Sequence, residues 1–200
     1  IAIIQSSIVL SEIYITNEEK PSEKIIELIE VSLKKLNINI DKLDSIAVGV
    51  GPGNFTGIRV GISVAKGIAF ALNIKCYGVS RFQTLLINDC PTLAIINIKN
   101  DLYYSQMFKK QKPLSDPIEQ NLSSILKGQY SNDTIISGDC ALRISEKLNL
   151  NCGKQSSFSK ASEIGLIATK SIEPNTLIPS PLYVKGHEAE LPKEPPPKYL

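Results

Sequence analysis

A single histidine, a single methionine and no tryptophan occur among the 200 residues of this chain. The histidine, His187, stands alone in a polar stretch, so the His-x-x-x-His pair by which a helix holds a catalytic metal is missing and metal catalysis is excluded. A Gly-x-Ser-x-Gly elbow is also absent, and with it the commonest serine-hydrolase arrangement. Cys76, Cys90, Cys140 and Cys152 never fall in C-x-x-C spacing, which fits reduced thiols rather than zinc ligands or disulfides. Charge of one sign is not in excess: the net charge is +2, so composition neither demands nor forbids a nucleic-acid partner. The densest basic group is Lys109, Lys110 and Lys112, open to an RNA contact or to the plain role of a solvated hairpin end. No segment reads as a signal peptide or a membrane span, so a cytoplasmic protein with no membrane partner is expected.

The most informative stretch present is residues 44–72, DSIAVGVGPGNFTGIRVGISVAKGIAFAL. An apolar β-type segment over 46–50 enters a turn built on Gly49, Gly51, Pro52 and Gly53, and a small-residue helix pattern follows. Glycines let backbone adopt unusual conformations and let a second chain or ligand approach closely. The turn lacks the Gly-Lys-Ser/Thr ending of a P-loop, and its spacing is not the dinucleotide fingerprint. Pro52 also removes one N–H that a phosphate would use. Two readings stay open: a structural turn, or a weak nucleotide site at Gly49, Gly51, Pro52, Gly53, Phe55 and Thr56.

In the helix that follows, Gly57, Gly61, Ala65 and Ala69 recur every four residues and make a shallow ridge for close helix packing. Its only charges, Arg59 and Lys66, share a face with Ser63 between them. A helix this apolar is expected to be buried in a core or against a partner, and too short and too rich in glycine and charge to cross a bilayer. A second helix is predicted over 22–36. Ile25, Ile26, Ile29, Leu33 and Leu36 fill one arc, which Leu28 and Val31 widen to roughly 220° on a wheel of about 100° per residue. That is wider than one sheet needs, and fits either a two-sided interface or a helix wedged between its own sheet and a neighbouring helix.

Strands are predicted over 1–4 and 8–15 as a hairpin, over 76–79, over 92–98 and 102–109 as a second hairpin, and over 134–137. Helices are predicted from about 80, over 139–148 with Asp139 as N-cap, and over 160–172 with Ala161, Ile164, Ala168 and Ile172 inward. The stretch 113–124 reads as a loop or irregular helix, and 192–200, PKEPPPKYL, as an extended tail. Hairpin, helix, strand, helix thus occurs twice, so the expected class is α/β in two related lobes, 1–90 and 91–191.

The run Gly49-Val50-Gly51-Pro52-Gly53-Asn54-Phe55-Thr56-Gly57-Ile58-Arg59 closely resembles the G-x-G-P-G-S-F-T-G-hydrophobic-R signature of the bacterial TsaB family, also called YeaZ. Only Asn54 departs from it. The likeness continues through Gly61, Ala65-Lys66-Gly67 and Ala69, with Ser22-Glu23, Gly78-Val79-Ser80 and Pro181-Leu182-Tyr183-Val184 elsewhere.

The resemblance implies two ribonuclease-H-like lobes of the actin, sugar-kinase and Hsp70 (ASKHA) type. It implies a non-catalytic scaffold, without cofactor, that pairs with a TsaD-type enzyme or with a second copy of itself. A TsaE-type ATPase joins that pair, and the complex attaches threonylcarbamoyl to the adenosine beside the anticodon of tRNAs, tRNA being met through the complex. The implied partner interface is Ile25, Ile29, Leu33, Leu36, Gly57, Arg59, Gly61, Ala65, Lys66 and Ala69. Arg59 and Lys66 either meet partner carboxylates or solvate the helix edge.

Three departures accompany the likeness. Family members open with a strand ending in Asp-Thr-Ser, which is not seen here, so about a dozen preceding residues, the first strand of lobe one, are expected. Pro21 stands where His is frequent, and Asn97-Ile98-Lys99 where Asp-Ala-Arg is. The alternative function is a homodimeric nucleotide-binding ASKHA protein with no tRNA role. A kinase-like activity is disfavoured because phosphoryl transfer in this superfamily needs a second phosphate loop that the sequence lacks.

Overall fold

A computed structural model of the protein describes residues 1–15, 21–170 and 179–184. The Pro-rich tail, His187 and Ile172 lie outside the described residues. The chain opens with an antiparallel hairpin of β1 (Ala2–Gln5) and β2 (Ile8–Glu12), turned by Ser6 and Ser7, both at positive φ. Then come α1 (Pro21–Lys35), a single 3₁₀ turn (Ile40–Lys42), β3 (Ser45–Gly51), α2 (Phe55–Leu72) and β4 (Lys75–Ser80), which pairs in parallel with β3. The short α3 (Arg81–Thr84), closed by a capping box between Ser80 and Gln83, leads to the second sheet.

That sheet contains β5 (Thr92–Lys99), β6 (Leu102–Lys109), β7 (Lys112–Pro113), β8 (Ile118–Asn121), β9 (Ile135–Gly138) and β10 (Asn151–Cys152) in the order β10-β9-β5-β6-β7, with β8 also on β6. Between its strands lie α4 (Leu122–Leu126) and α5 (Ala141–Leu148), and α6 (Ala161–Lys170) is the last described helix. Asn73 and Asn149 end α2 and α5 in the left-handed conformation, which Asn tolerates better than most residues.

β5 shows why its near-continuous apolar run forms a central strand. Leu93 and Ile95 point into a cluster with Tyr103, Ile125, Ile136, Ala141 and Ile144. Ala94 and Ile96, on the opposite pleat, pack with Phe82, Leu85 and Phe108. Phe82 and Leu85 come from α3 and its C-cap, so this second cluster joins the two halves of the chain.

The β1–β2 and β3–β4 pairs are separate sheets, and α6 packs on both. Close approach makes this possible: a Cβ at Gly49 would stand 3.2 Å from Ile164 Cδ1, and one at Gly165 would overlap the Ile4 side chain. Glu12 of β2 caps α6 by accepting the Ser162 N–H at 2.9 Å. Burial of the Glu12 carboxyl pushes its pKa up, but the Ser162 hydrogen bonds and the Lys160 charge outweigh this and hold it below the ordinary value. A helix predicted within the second half of the chain is therefore packed on the first.

Several expectations change. β8 forms where a loop or irregular helix was expected, because β6 offers it a ladder that local propensity does not reveal. β2 stops at Glu12, short of residue 15. Asp139 is not the N-cap of α5: Cys140 takes that position, and the Asp139 carboxylate instead accepts the Asn97 N–H at 2.8 Å and pairs with Arg81. By length and composition alone α2 is not too short to cross a bilayer, with 18 residues at a mean hydropathy of 1.4. Here it lies on β3 beside α1.

Gly138 sits at φ +130, and a Cβ there would fall on the Ile95 carbonyl oxygen of the neighbouring strand. Backbone, unlike a side-chain tip, cannot swing aside. Gly138→Ala is therefore expected to cost about 3 kcal/mol or more in a urea unfolding titration, where an ordinary exposed substitution costs about 0.5 kcal/mol.

Candidate functional site

The glycine turn closes on itself. Gly51 has φ +99, and a Cβ there would come within 2.8 Å of Ile58 Cδ1, so both conformation and space favour glycine. Asn54 is the N-cap of α2 and accepts the Gly57 N–H at 2.8 Å, while its carbonyl takes the Ile58 N–H at 3.0 Å. The Ile58 bond is the first regular bond of the helix, and the Gly57 N–H, one of the donors a phosphate at this helix end would use, is already satisfied within the turn. Asn, like the Ser of the signature, is a residue type suited to the N-cap position. This geometry favours the structural reading of the turn.

Beside it stands a group of exposed side chains. The Arg59 guanidinium lies 3.8 Å from the centroid of the Phe55 ring and donates to the Tyr183 hydroxyl through Nε at 3.1 Å and Nη2 at 2.7 Å. Tyr183 arrives on an extended segment, 179–184, whose Leu182 N–H donates to the Val50 carbonyl at 2.8 Å. Sequence reading missed the role of this segment, although Pro181-Leu182-Tyr183-Val184 was visible as a shared motif. Contacts 124 residues apart leave no periodic signal.

The expected partner surface divides into an inner and an outer part. Leu33, Ala65 and Ala69 are buried in this chain, at 5%, 7% and 4% exposure. Ile25, Ile29, Leu36 and Gly61 are half-buried, and Gly57, Arg59 and Lys66 are exposed. The small-residue ridge is split for a geometric reason: positions four apart advance about 40° around a helix of about 100° per residue. The row that starts outside at Gly57 has wound beneath α2 by Ala65, and a Cβ at Gly61 faces Val48 of β3 at 3.7 Å. The outer stripe is instead Phe55, Arg59, Ser63, Lys66, Gly67 and Phe70, all exposed, with Phe70 at 90%. On α1 the broad apolar arc is only partly covered, and Ile26 and Val31 stay 48% and 46% exposed.

Two other features lie outside this surface. An open cleft of about 420 Å³ lies between Val50, Gly78 and Ser80 on one side and Gln106, Phe108 and Pro113 on the other. Both of its glutamines are engaged: Gln83 Oε1 accepts the Ser80 N–H at 2.8 Å and Gln106 Nε2 donates to the Ser115 carbonyl at 2.8 Å. Arg81 and Asp139 form a largely buried ion pair, also tied to the Asn97 N–H, that links α3 to the second sheet. It fixes the junction of the halves. Among the described residues no three of His, Cys, Asp and Glu come together to hold a metal ion.

Comparison with known proteins gives the context. Residues 9–111 match the family described as TsaD, tRNA N6-adenosine threonylcarbamoyltransferase. Among individual relatives, the tRNA threonylcarbamoyladenosine biosynthesis protein TsaB of Haemophilus influenzae is 28% identical over 97 residues, covering 45% of this chain and 41% of the relative. TsaB of Bacillus subtilis is 34% identical over 89 residues, covering 44% and 38%. A tRNA N6-adenosine threonylcarbamoyltransferase of Geobacter sp. is 34% identical over 94 residues, covering 42% and 28%. The chain thus spans less than half the length of these curated relatives. Among solved structures, YeaZ from Pseudomonas aeruginosa superimposes with a TM-score of 0.67 at 20% identity, covering 84% of each chain. The fold is therefore of the expected α/β class, in the arrangement of YeaZ.

If the Asn54 side chain is what closes the turn, Asn54→Ala is expected to lower stability by about 1 kcal/mol in chemical denaturation, and Asn54→Ser to preserve it. Equal stability of all three proteins would contradict this role.

Proposed function

Because the chain belongs to the family described as TsaD, tRNA N6-adenosine threonylcarbamoyltransferase, with TsaB (YeaZ) proteins among its relatives, we propose that it is an accessory, non-catalytic subunit. It pairs with a TsaD-type enzyme that carries out threonylcarbamoyl transfer to the adenosine beside the tRNA anticodon. The observation that carries this reading is the outer stripe of α2. Although α2 is apolar on nearly all sides, the described residues cover it only toward β3, β4 and α1, leaving Phe55 and Phe70 exposed beside Arg59 and Lys66. Large apolar side chains exposed next to fixed charges are the composition of a protein–protein contact.

On this reading the inner residues Leu33, Ala65 and Ala69 set the height and angle of α1 and α2, while Ile25, Ile29, Leu36, Gly57 and Gly61 border the contact. Gly67, where a Cβ would meet nothing within 4 Å, leaves room for a partner helix to approach. Arg59, already oriented by Phe55 and Tyr183, is ready to meet a partner carboxylate with little further loss of side-chain entropy. The same surface serves a homodimer when the enzyme is absent, and a TsaE-type ATPase joins the pair. The lobes are residues 1–90 and 91–191, with α6 returned onto the first, and the protein works in the cytoplasm, where its tRNA substrate is.

Mixing the chain with the TsaD-type protein of the same organism tests this, read by size-exclusion chromatography with light scattering. A one-to-one complex that replaces the homodimer is the expected result, and a homodimer that ignores the enzyme would refute it. Burying a phenylalanine is worth about 1.5–3 kcal/mol, or about 10- to 100-fold in affinity. Phe70→Asp is therefore expected to weaken the complex by that factor without lowering the thermal midpoint of the free chain, since Phe70 is 90% exposed. Unchanged affinity would remove α2 from the interface.

A further inference from the structure

We propose that the turn joining β6 and β7 is an anion site that takes the phosphate backbone of RNA, an inference that rests on the tRNA reading above. Lys109 and Lys112 stand directly opposite one another in the antiparallel pair. That placement puts their Cβ atoms about 5 Å apart, and like charges so placed destabilise the pair. The two residues between them, Lys110 and Gln111, have φ of 49° and 62°. Left-handed positions in a two-residue hairpin turn favour Asn and Gly, and a lysine with its Cβ is disfavoured there. This short hairpin therefore carries two local penalties at once, each of which a single substitution would relieve. Arrangements that break local rules without a visible compensating contact mark functional positions.

No compensating contact lies among the described residues. All four residues are exposed, and none of the three lysines pairs with a carboxylate among the described residues. At the turn the Asp89 carboxylate accepts a hydrogen bond from the uncharged Gln111 at 3.2 Å. The base of the hairpin is firm: Phe108 is buried in the cluster formed with α3, and the Leu114 N–H donates to the Met107 carbonyl at 2.9 Å. Three ammonium groups are thus carried on a rigid support, in the second sheet rather than on the α1–α2 surface. Lysine is a point charge suited to phosphate oxygens, whereas planar carboxylates are better recognised by arginine, and the patch has none. Phosphate charge compensates the lysine repulsion and gives binding that depends on salt but not on sequence.

The test compares the complex of the full chain and its TsaD-type partner with the same complex carrying Lys109→Gln, Lys110→Gln and Lys112→Gln, titrated with tRNA across salt concentrations. The proposal expects the slope of log affinity against log salt to become shallower by about 2–3 in the triple variant, at about 0.7–0.9 per lost phosphate contact. In the free chain at low salt, Lys112→Gln alone is expected to raise the thermal midpoint by about 1–3 °C. An unchanged salt slope, in a variant complex that forms normally, overturns the proposal and leaves the tRNA reading intact. Loss of the enzyme partner with the tRNA slope unchanged assigns the lysines to an acidic protein surface and also overturns it. If the wild-type chain forms no complex, it is the tRNA reading that fails. The hairpin is then decided by the free chain with a uridine dodecamer, where salt-dependent binding lost in the triple variant supports the proposal and equal binding refutes it.

Discussion

Helix α6 is the constraint on which the first half of the molecule depends. Two small sheets, β1–β2 and β3–β4, share no ladder with one another, and a two-stranded pair has little stability alone. One helix lies over both, close enough that Gly49 and Gly165 mark the points of contact with Ile164 and Ile4. The Glu12 carboxylate at the start of that helix adds a charge-assisted cap from β2. Because Val48 and Gly49 point to opposite faces of β3, α6 on one face leaves α2 on the other. The outer side of α2 is then the side that the described chain does not cover.

The glycine turn and the α2 stripe follow from that arrangement. Gly51 and Asn54 bring the chain from β3 into α2 with the helix N-terminus closed by its own cap. Close packing of α2 on β3 uses the small residues Gly61, Ala65 and Ala69, which are largely spent within the protein. What remains exposed on α2 is chemically different: two aromatic rings, a guanidinium held between Phe55 and Tyr183, and Lys66. In the proposed contact, apolar area would supply the attraction and the fixed charges the register, a division common in protein interfaces.

Much of this was legible in the residues. Alternating and continuous apolar runs marked β3, β4, β5 and β6, and the strand–glycine–helix unit at 46–72 needed no tertiary information. The wheel of α1 foretold more apolar surface than one sheet covers, and Ile26 and Val31 are what is left over. The sequence ridge Gly57, Gly61, Ala65, Ala69 was visible too, but which part of it faces outward depends on the rotation of α2 over β3, and spacing alone does not set that. Three features were illegible because they are long-range. β8 forms only against β6, Asp139 turns from a local cap to Arg81 and Asn97, and Tyr183 reaches Arg59 across most of the chain. Phe70 was overlooked because, on an almost wholly apolar helix, nothing in the pattern distinguishes an exposed ring from a buried one.

The central claim is that the outer faces of α1 and α2 carry the enzyme partner. Amide hydrogen exchange of the chain, alone and with the TsaD-type protein, tests it most directly. The account predicts added protection over 21–35 and 55–72, with the second sheet between 92 and 152 exchanging as before. Protection confined to that sheet, or none on α2, would contradict it.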